Sequence, residues 1–333
     1  MRSAFPPYAC FHECDFDGAP SMLRSRRARE LSAFAALGIG VAAYVAGRFW
    51  LQHFIPLIGL ACVAAVALCA GLRLWVGAAG WAIAAAAALA AVIPAYLPRE
   101  AVVRPGCRLS VVEFNKQEEH PDDAGAARLL ARLHPDLLFA EKVYDTSGFR
   151  DVLLAAGFAG YYSFPSQQHP DLILSRFPFV RTGDEWNWFW ADIAVEGREV
   201  RLENMYATRP TADWRQHLED MAWLRARARD QRSPLILAGD ANATPFAQEV
   251  RELREVLPDA WDEAGWGLGA TYPGPWRRAG LFGPWLRIDY IFHNAAFDAV
   301  SARRIDEAAG AGHYPVWAEL ALAGAGTPGE PCR

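Results

Sequence analysis

Apolar residues fill the first third of the chain as long unbroken runs. Further on they give way to short runs that alternate with polar positions. Leu31 to Gly47 and Phe54 to Ala70 are each 17 residues without a charge, and Leu74 to Leu97 is 24. A bilayer core about 30 Å thick is crossed by roughly 17–25 apolar residues in a helix. None of the three runs carries the polar stripe of a helix lying on a soluble core. The pattern predicts an anchor of three transmembrane helices over residues 31–98, preceded by a segment of residues 1–30.

Past residue 106 the period shortens. Arg108 to Phe114, Asp136 to Val143, Asp171 to Ser175, Pro234 to Ala238, Arg287 to Phe292 and Val316 to Leu322 read as strands. Asn187 to Val195 and Glu199 to Met205 read as a hairpin around Glu196, Gly197 and Arg198. Ala124 to Leu133, Asp151 to Ala156, Ala212 to Arg229 and Ala247 to Val256 read as helices. This is a mixed α/β domain over residues 107–322. Residues 323–333, rich in Gly and Pro, read as a flexible tail.

Charge separates the two parts. The chain of 333 residues carries a formal charge of −5. Residues 1–98 hold seven Arg against four Asp and Glu, a surplus of +3, which leaves −8 on the remainder. Arg24, Arg26, Arg27 and Arg29 cluster just before the first run, and basic flanks stay in the cytoplasm. Three crossings would then put the C-terminal domain on the periplasmic or extracellular face of a multi-pass membrane protein, with residues 1–30 cytoplasmic and the lipid bilayer as a partner. At 53% hydrophobic and 21% charged, the chain is not disordered. An acidic domain lacks the phosphate-tracking groove that duplex DNA needs, so nucleic acid is not an expected partner. The six cysteines give no disulfide framework by spacing. Cys62 and Cys69 lie in an apolar run, Cys107 follows the anchor and Cys332 is in the tail; Cys10 and Cys14 have a weak metal-binding spacing.

Candidate chemistry gathers in the second part. Gly239-Asp240-Ala241-Asn242-Ala243-Thr244-Pro245 follows an apolar strand. A carboxylate and an amide two residues apart at a strand end can face one cavity. There the carboxylate can orient or deprotonate a water, and the amide can stabilise an oxyanion. The same heptapeptide also suits an Asx turn closed by Pro245. Four further elements follow a fixed order: Val112-Glu113-Phe114-Asn115, the LILSRFP run from Leu172 to Pro178, Thr271-Tyr272-Pro273 ahead of the RIDYIF run from Arg287 to Phe292, and Gly312-His313-Tyr314-Pro315-Val316.

In this order and spacing the chain resembles the endonuclease/exonuclease/phosphatase superfamily over roughly residues 107–322. The apolar runs ahead of it resemble the membrane-anchored bacterial branch. The resemblance implies a four-layer αββα sandwich of two facing mixed sheets, preceded here by three transmembrane helices. It also implies metal-assisted hydrolysis of phosphoesters. By the same resemblance Asn115 helps hold phosphate or metal, Asp240 positions the attacking water and Asn242 stabilises the oxyanion. Asp289 matches the Asp of the I-D-Y strand. His313 matches the terminal His that contacts phosphate or acts as acid–base. Tyr206 falls where many members carry His and some carry Tyr.

Two positions depart from the family pattern. Counted from Pro135, the metal-binding Glu of P-D-x-x-x-x-Q-E-V is Lys142, and Glu141 holds the Gln position. A one-residue step on a strand turns a side chain to the other face, so Glu141 would need a bulge to substitute. Gly312 stands where the pattern has the Asp before His313. A divalent cation such as Mg²⁺, implied by the resemblance, wants several oxygen ligands, and these changes remove two carboxylates and add an ammonium. No metal ligand is secure from the pattern. A loop of Glu118, Glu119, His120, Asp122 and Asp123 is a second possible oxygen source; a solvated acidic loop is the plainer account of it.

Of 33 basic residues only Lys116 and Lys142 are lysine. Lys116 follows Asn115 directly, so both fall at the expected cavity. A compact ammonium there would pair with a substrate anion in place of the metal. Arg176, in the LSR element, and Trp285, in an apolar segment with Trp276, Leu281 and Phe282, are further substrate contacts expected here. That segment reads either as a lipid-touching loop or as ordinary packing. Trp186, Trp188 and Trp190 share a strand face and read either as core or as a stacking platform. The expected function is a membrane-tethered hydrolase or transferase acting outside the cytoplasm on a phosphoester or another small-molecule or lipid-linked anionic substrate, with a metal-poor site. The alternative is a catalytically silent protein that binds an envelope anion.

Overall fold

The computed structural model describes residues 40, 54–72, 74–97, 102–117, 122–185, 188–275, 280 and 283–333. The chain divides into two compact units, one of residues 1–47 and 56–89, the other of residues 48–55 and 90–333.

The apolar N-terminal third supplies two described helices, α1 (Ile55–Gly71) and α2 (Trp75–Val92). At Pro94 the second tightens into a 3₁₀ turn, Ile93–Tyr96. Trp75–Tyr96 together is 22 residues, long and apolar enough to cross a bilayer. The 17 residues of α1 rise only about 25 Å at ~1.5 Å each, short of a ~30 Å core. Among the described residues one helix therefore has spanning length and composition, where three were expected. The run from Leu31 to Gly47 lies outside the described residues except for Gly40. The three-helix anchor is corrected accordingly. The multi-pass topology and the outward face of the C-terminal domain, both obtained by counting three crossings, lose their basis with it.

The second unit contains two sheets. β1 (Gly106–Asn115), β2 (Leu137–Glu141), β3 (Tyr162–Pro165), β4 (Leu172–Ser175), β10 (Phe297–Arg304) and β11 (Val316–Ala323) form one, in the order β10-β11-β1-β2-β4-β3. β5 (Phe179–Glu185), β6 (Trp188–Val195), β7 (Arg198–Tyr206), β8 (Leu235–Asp240) and β9 (Asp289–His293) form the other in sequential order. Both are mixed: β1–β2 and β7–β8 pair in parallel and their neighbours antiparallel.

Alternation on the strands builds the layers. Leu109 and Val111 of β1, Leu137 and Phe139 of β2, Val200 and Leu202 of β7, and Ile236 and Ala238 of β8 all enter one core between the sheets. Their neighbours Val112, Phe114, Leu138 and Ala140 face outward, onto α3 (Asp123–Leu133) and α4 (Thr146–Leu153). On the far side Leu235, Leu237, Tyr290 and Phe292 face α5 (Trp214–Asp230) and α6 (Gln248–Arg254). The result is an αββα sandwich. Each fully buried Leu, Ile or Phe in these clusters contributes about 1.5–3 kcal/mol of burial. α3, α4 and α5 each start at an Asp that caps the first turn: Asp122 accepts from Gly125 N, Asp145 from Gly148 N and Asp213 from Gln216 N.

The end of the chain is fixed to the start of the domain, unlike the flexible tail the composition suggests. Cys107 and Cys332 form a disulfide. The Cys107 and Arg108 amides donate to Ala325 O and Glu330 O, and the Cys332 amide donates to Arg108 O. Spacing gave no hint of this pair because 225 residues separate its members. Only the antiparallel pairing of β1 with β11, which sets Gly106 opposite Ala323, brings them together.

Candidate active site

Strand parity carries a polar set into the space between the sheets, at the ends where the apolar residues stop. On β1, Leu109 and Val111 are followed inward by Glu113 and Asn115. On β8, Ile236 and Ala238 are followed by Asp240, and on β9 Asp289 precedes the inward Ile291. Tyr206, Asp240 and Asp289 lie in one row across β7, β8 and β9, and Asn115 is level with Glu141 across β1 and β2.

Asp240 is the hub. Its Oδ2 accepts from Asn115 Nδ2 at 2.9 Å and from Lys142 Nζ at 2.8 Å, and its Oδ1 from the Asn242 amide at 2.7 Å. Burial works against the charge of Asp240, yet Lys142 and His313 outweigh it and hold the carboxyl below the ordinary Asp value. Lys142 is raised in turn: burial lowers it, and Asp240 and Glu141 more than compensate. Both shifts describe an ionised pair. Asn242 adopts a left-handed backbone, φ 49°, and its Nδ2 donates to Ala207 O at 2.9 Å. Gly239 is required beside it, since a Cβ there would collide with Glu141 Oε1 and the Met205 carbonyl.

Asp289 and His313 form a second pair. His313 Nδ1 lies 2.9 Å from Asp289 Oδ2, and Thr271 Oγ1 donates to the same oxygen. The other ring nitrogen lies 3.1 Å from Gln117 Oε1. Burial raises the Asp289 carboxyl despite His313. Asp240, Asp289 and His313 each offer a ligand atom within 4.8 Å of the others, and all three are buried.

Lys142 and Glu141 both reach the cavity, by different means. Glu141 is inward by plain alternation after Leu137 and Phe139, with an unbroken register to β1 and no bulge. Its Oε2 accepts from the Asp240 amide at 3.1 Å. Lys142 should point outward, but its left-handed backbone, φ 53°, returns the side chain to Asp240. The amide of Lys142 donates to Asp171 Oδ1, and Asn204 Nδ2 donates to Asp171 Oδ2. Burial pushes the Asp171 carboxyl up to about 6. Tyr206 is about half exposed and its ring centroid is 5.5 Å from Lys142 Nζ.

Two expected contacts lie elsewhere. Lys116 turns outward to Asp123, at 2.5 Å, and to the Phe149 ring. Arg176 binds Asp136 and Cys332 O at the other end of β2. Trp285 is held by its amide to Tyr272 O, in the bridge that carries the Tyr272 ring to His313. Glu118, Glu119, His120, Trp186, Trp276, Leu281 and Phe282 lie outside the described residues, as do Cys10 and Cys14. Trp188 and Trp190 face outward on β6, stacked with Arg227 and Arg201. Glu113, Asp171, Asn204, Thr271 and Gln117 belong to the site's surroundings without having been assigned a role. Counting back two from Asn115 and from Tyr206 finds Glu113 and Asn204.

A model of the endonuclease/exonuclease/phosphatase family matches residues 112–317. No curated protein matches the chain. Solved structures of similar fold include a mannosyl-6-phosphatase of Bacteroides thetaiotaomicron, with 17% identity, a TM-score of 0.53, and 64% of this chain and 99% of that one covered. Truncated TDP2 of Caenorhabditis elegans has 18% identity and a TM-score of 0.54, covering 64% of this chain and 98% of that one. An endonuclease/exonuclease/phosphatase of Bacteroides vulgatus has 14% identity and a TM-score of 0.54, covering 65% and 99%. At these identities the likeness is one of fold.

Proposed function

The chain belongs to the endonuclease/exonuclease/phosphatase family, and from that premise we propose that it is a hydrolase or transferase of phosphoesters. The observation that carries this reading is the convergence of Asn115, Lys142, Asp240, Asn242, Asp289 and His313 from separate elements on one space between the sheets. Phosphoryl transfer asks a protein chiefly for positioning and charge stabilisation, and these residues supply both. Asp240 is held ionised by three donors, so it serves better to fix Lys142, Asn115 and Asn242 than to take a proton. Lys142 offers the positive charge for a phosphoryl oxygen. His313, oriented by Asp289, is the acid–base group for the attacking or leaving oxygen. Tyr206 stands at the open side, where an ester group would enter.

The residues present fit the cation that the family implies. Asp240 and Asp289 already accept from Lys142, Asn115, Asn242, Thr271 and His313. Glu141 Oε1 and Asn115 Oδ1, in contrast, are buried oxygens with no hydrogen-bond donor, and a hard cation takes such donors. When bound, it would supply Lewis-acid stabilisation of a phosphoryl oxygen.

The substrate is a small-molecule or lipid-linked anionic ester. The Trp75–Tyr96 helix supports association with a bilayer, which favours the lipid-linked class. One solved protein of this fold bears the name of a sugar phosphatase, which fits a phosphomonoester. The test is turnover of a phosphomonoester and phosphodiester panel, including a lipid phosphate in detergent, by the full chain. Turnover that falls about 100-fold or more in Asp240→Asn and His313→Ala supports the reading. Absence of turnover, together with Lys142-dependent binding of inorganic phosphate, would establish the silent anion-binding protein instead. That second reading draws on the deep burial of Asp240, Asp289 and His313.

A further inference from the structure

The helix Trp75–Tyr96 runs into the second unit at its end. Residues 90–97 belong to that unit, and so does Phe54, just ahead of α1. Three contacts hold these residues to one segment of the domain. The Gly267 amide donates to Ala95 O at 2.8 Å. The Trp266 ring meets the Tyr96 ring edge-on, with centroids 5.3 Å apart. The Trp285 ring lies 5.8 Å from that of Phe54. The chain beyond the helix is tied down as well: Arg104 donates from its amide and its side chain to Asp298, and from its side chain to Ala295 O.

The segment is built to present Trp266. The carbonyl of Gly267 accepts from Trp261 Nε1 at 3.0 Å, and the Gly265 amide donates to Trp261 O. Gly269, φ 62°, passes so close to the Trp261 ring that a Cβ would collide with it. Trp261 itself sits in the core between the sheets. The loop is therefore anchored to the core while Trp266 is turned outward. Trp266 is 71% exposed, whereas every other tryptophan described beyond residue 97 is buried or half-buried. Ile93, Tyr96, Leu97 and Val102 are exposed too, and an apolar patch of this kind marks a surface that meets something other than water.

Burial identifies the solvent on the helix side. Only 11% of the most apolar window of Trp75–Tyr96 is buried in protein, unlike a helix in the core of a water-soluble domain. Its end therefore lies at a membrane–water boundary, and whatever touches Tyr96 lies there too. Trp and Tyr favour that boundary, because the body of the ring is apolar and its N–H or O–H stays wet. In sequence the segment continues with Trp276, Arg277, Arg278, Leu281 and Phe282, aromatic and basic residues of the kind that suit anionic lipid.

We propose that Trp266 and Trp285, with Tyr96 and Leu97, seat the domain in the headgroup layer of the bilayer that this helix crosses. The partner is the lipid surface itself. The same segment leads into the site: Thr271 donates to Asp289, and the Tyr272 ring lies 4.8 Å from that of His313. A phosphate carried on a membrane lipid is thus presented at the wall of the site while its lipid stays in the bilayer. This route rests on the proposed function; the seating does not.

The seating is tested on the full chain in vesicles of phosphatidylcholine and phosphatidylglycerol containing a lipid with a diazirine beside its glycerol. After illumination, mass spectrometry maps the labelled peptides. The peptide holding Trp266 is expected to take the label, and the peptide holding Val180, exposed on the β5 edge, to take none. Label at Trp266 no stronger than at Val180 would overturn the seating and assign the patch to a protein partner. Kinetics test the route. Trp266→Ala is expected to raise KM for a lipid phosphate in these vesicles about tenfold, the loss of one interfacial ring. Its kcat and KM for a water-soluble phosphomonoester should match the wild type, and Trp266→Phe should recover most of the vesicle KM. A soluble substrate impaired equally, or a vesicle substrate unaffected, would overturn the route. Labelling without turnover of any substrate would uphold the seating while removing the hydrolase reading and the route with it; turnover without labelling would do the reverse.

Discussion

Lys142 Nζ stands 2.8 Å from Asp240 Oδ2, so the turn after β2 is tied to the end of β8 by an ion pair between the two sheets. Asp240 is lowered from its ordinary 3.8 and Lys142 raised from its ordinary 10.5. A lowered acid contributes stability above its unfolded value and loses it as the pH falls. A raised base contributes below its unfolded value and loses it as the pH rises. The pair therefore holds across the neutral range. Lys142→Met leaves a buried carboxylate without its cation and is expected to cost about 3 kcal/mol at pH 7. Urea unfolding measures this, and adding Asp240→Asn should restore part of the loss.

Asp171 predicts a pH effect of opposite sign. Its carboxyl is pushed from 3.8 up to about 6, chiefly by burial. The folded protein then holds a proton that the unfolded chain has released, so stability falls as pH rises from about 4 to 6 and is level above. The full drop is on the order of 2–3 kcal/mol. In a series of melting curves between pH 4 and 7, Asp171→Asn should flatten this slope; an unchanged slope would assign it to other groups.

Asn242 combines a left-handed backbone with an amide bonded to Ala207 O. Asn242→Ala meets the backbone penalty and loses the bond, at a cost of about 1–2 kcal/mol. Asn242→Gly keeps the backbone at ease and should be the more stable of the two. Thermal denaturation separates them, and both should lose turnover alike if the amide serves the reaction.

Reducing the Cys107–Cys332 bond releases a loop spanning 225 residues of sequence separation. In the chain-entropy account this is worth about 5 kcal/mol, an upper figure for a bond whose surroundings also order the tail. Urea midpoints with and without reductant should differ. Cys107→Ser with Cys332→Ser should match the reduced wild type and be insensitive to reductant.

The central strands and the long helices were legible because their apolar periodicity is strong. β1, β2, β4, β6, β7, β8, β9 and β11 lie within a few residues of where alternation puts them. The strands that escaped, β3, β5 and β10, are all sheet edges. An edge strand such as Phe297–Arg304 carries Asp298, Arg303 and Arg304 and shows little alternation, as edges exposed to water do. Asn115, Asp240 and Asp289 lie where motif and parity agree, whereas Asn242 and His313 lie on no strand and were placed by motif alone. Glu141 was misread for one physical reason. Counting along a motif gave Lys142 the inward place, whereas alternation gives it to Glu141. The left-handed turn at Lys142 then brings in both, and no sequence rule announces positive φ at a lysine. Lys116 was placed by its proximity to Asn115 and Arg176 by its motif, and neither says which way a side chain points.

The bond between Cys107 and Cys332 also changes what it means to cut this protein. Backbone and disulfide together close the domain into a covalent ring. A single protease nick at any exposed loop inside it leaves both fragments joined, so a nicked domain migrates as one species until reductant is added. For the same reason the domain has no privileged ends. New termini opened in a surface loop, with residues 106 and 333 joined by a short linker, would leave every strand pairing where it stands.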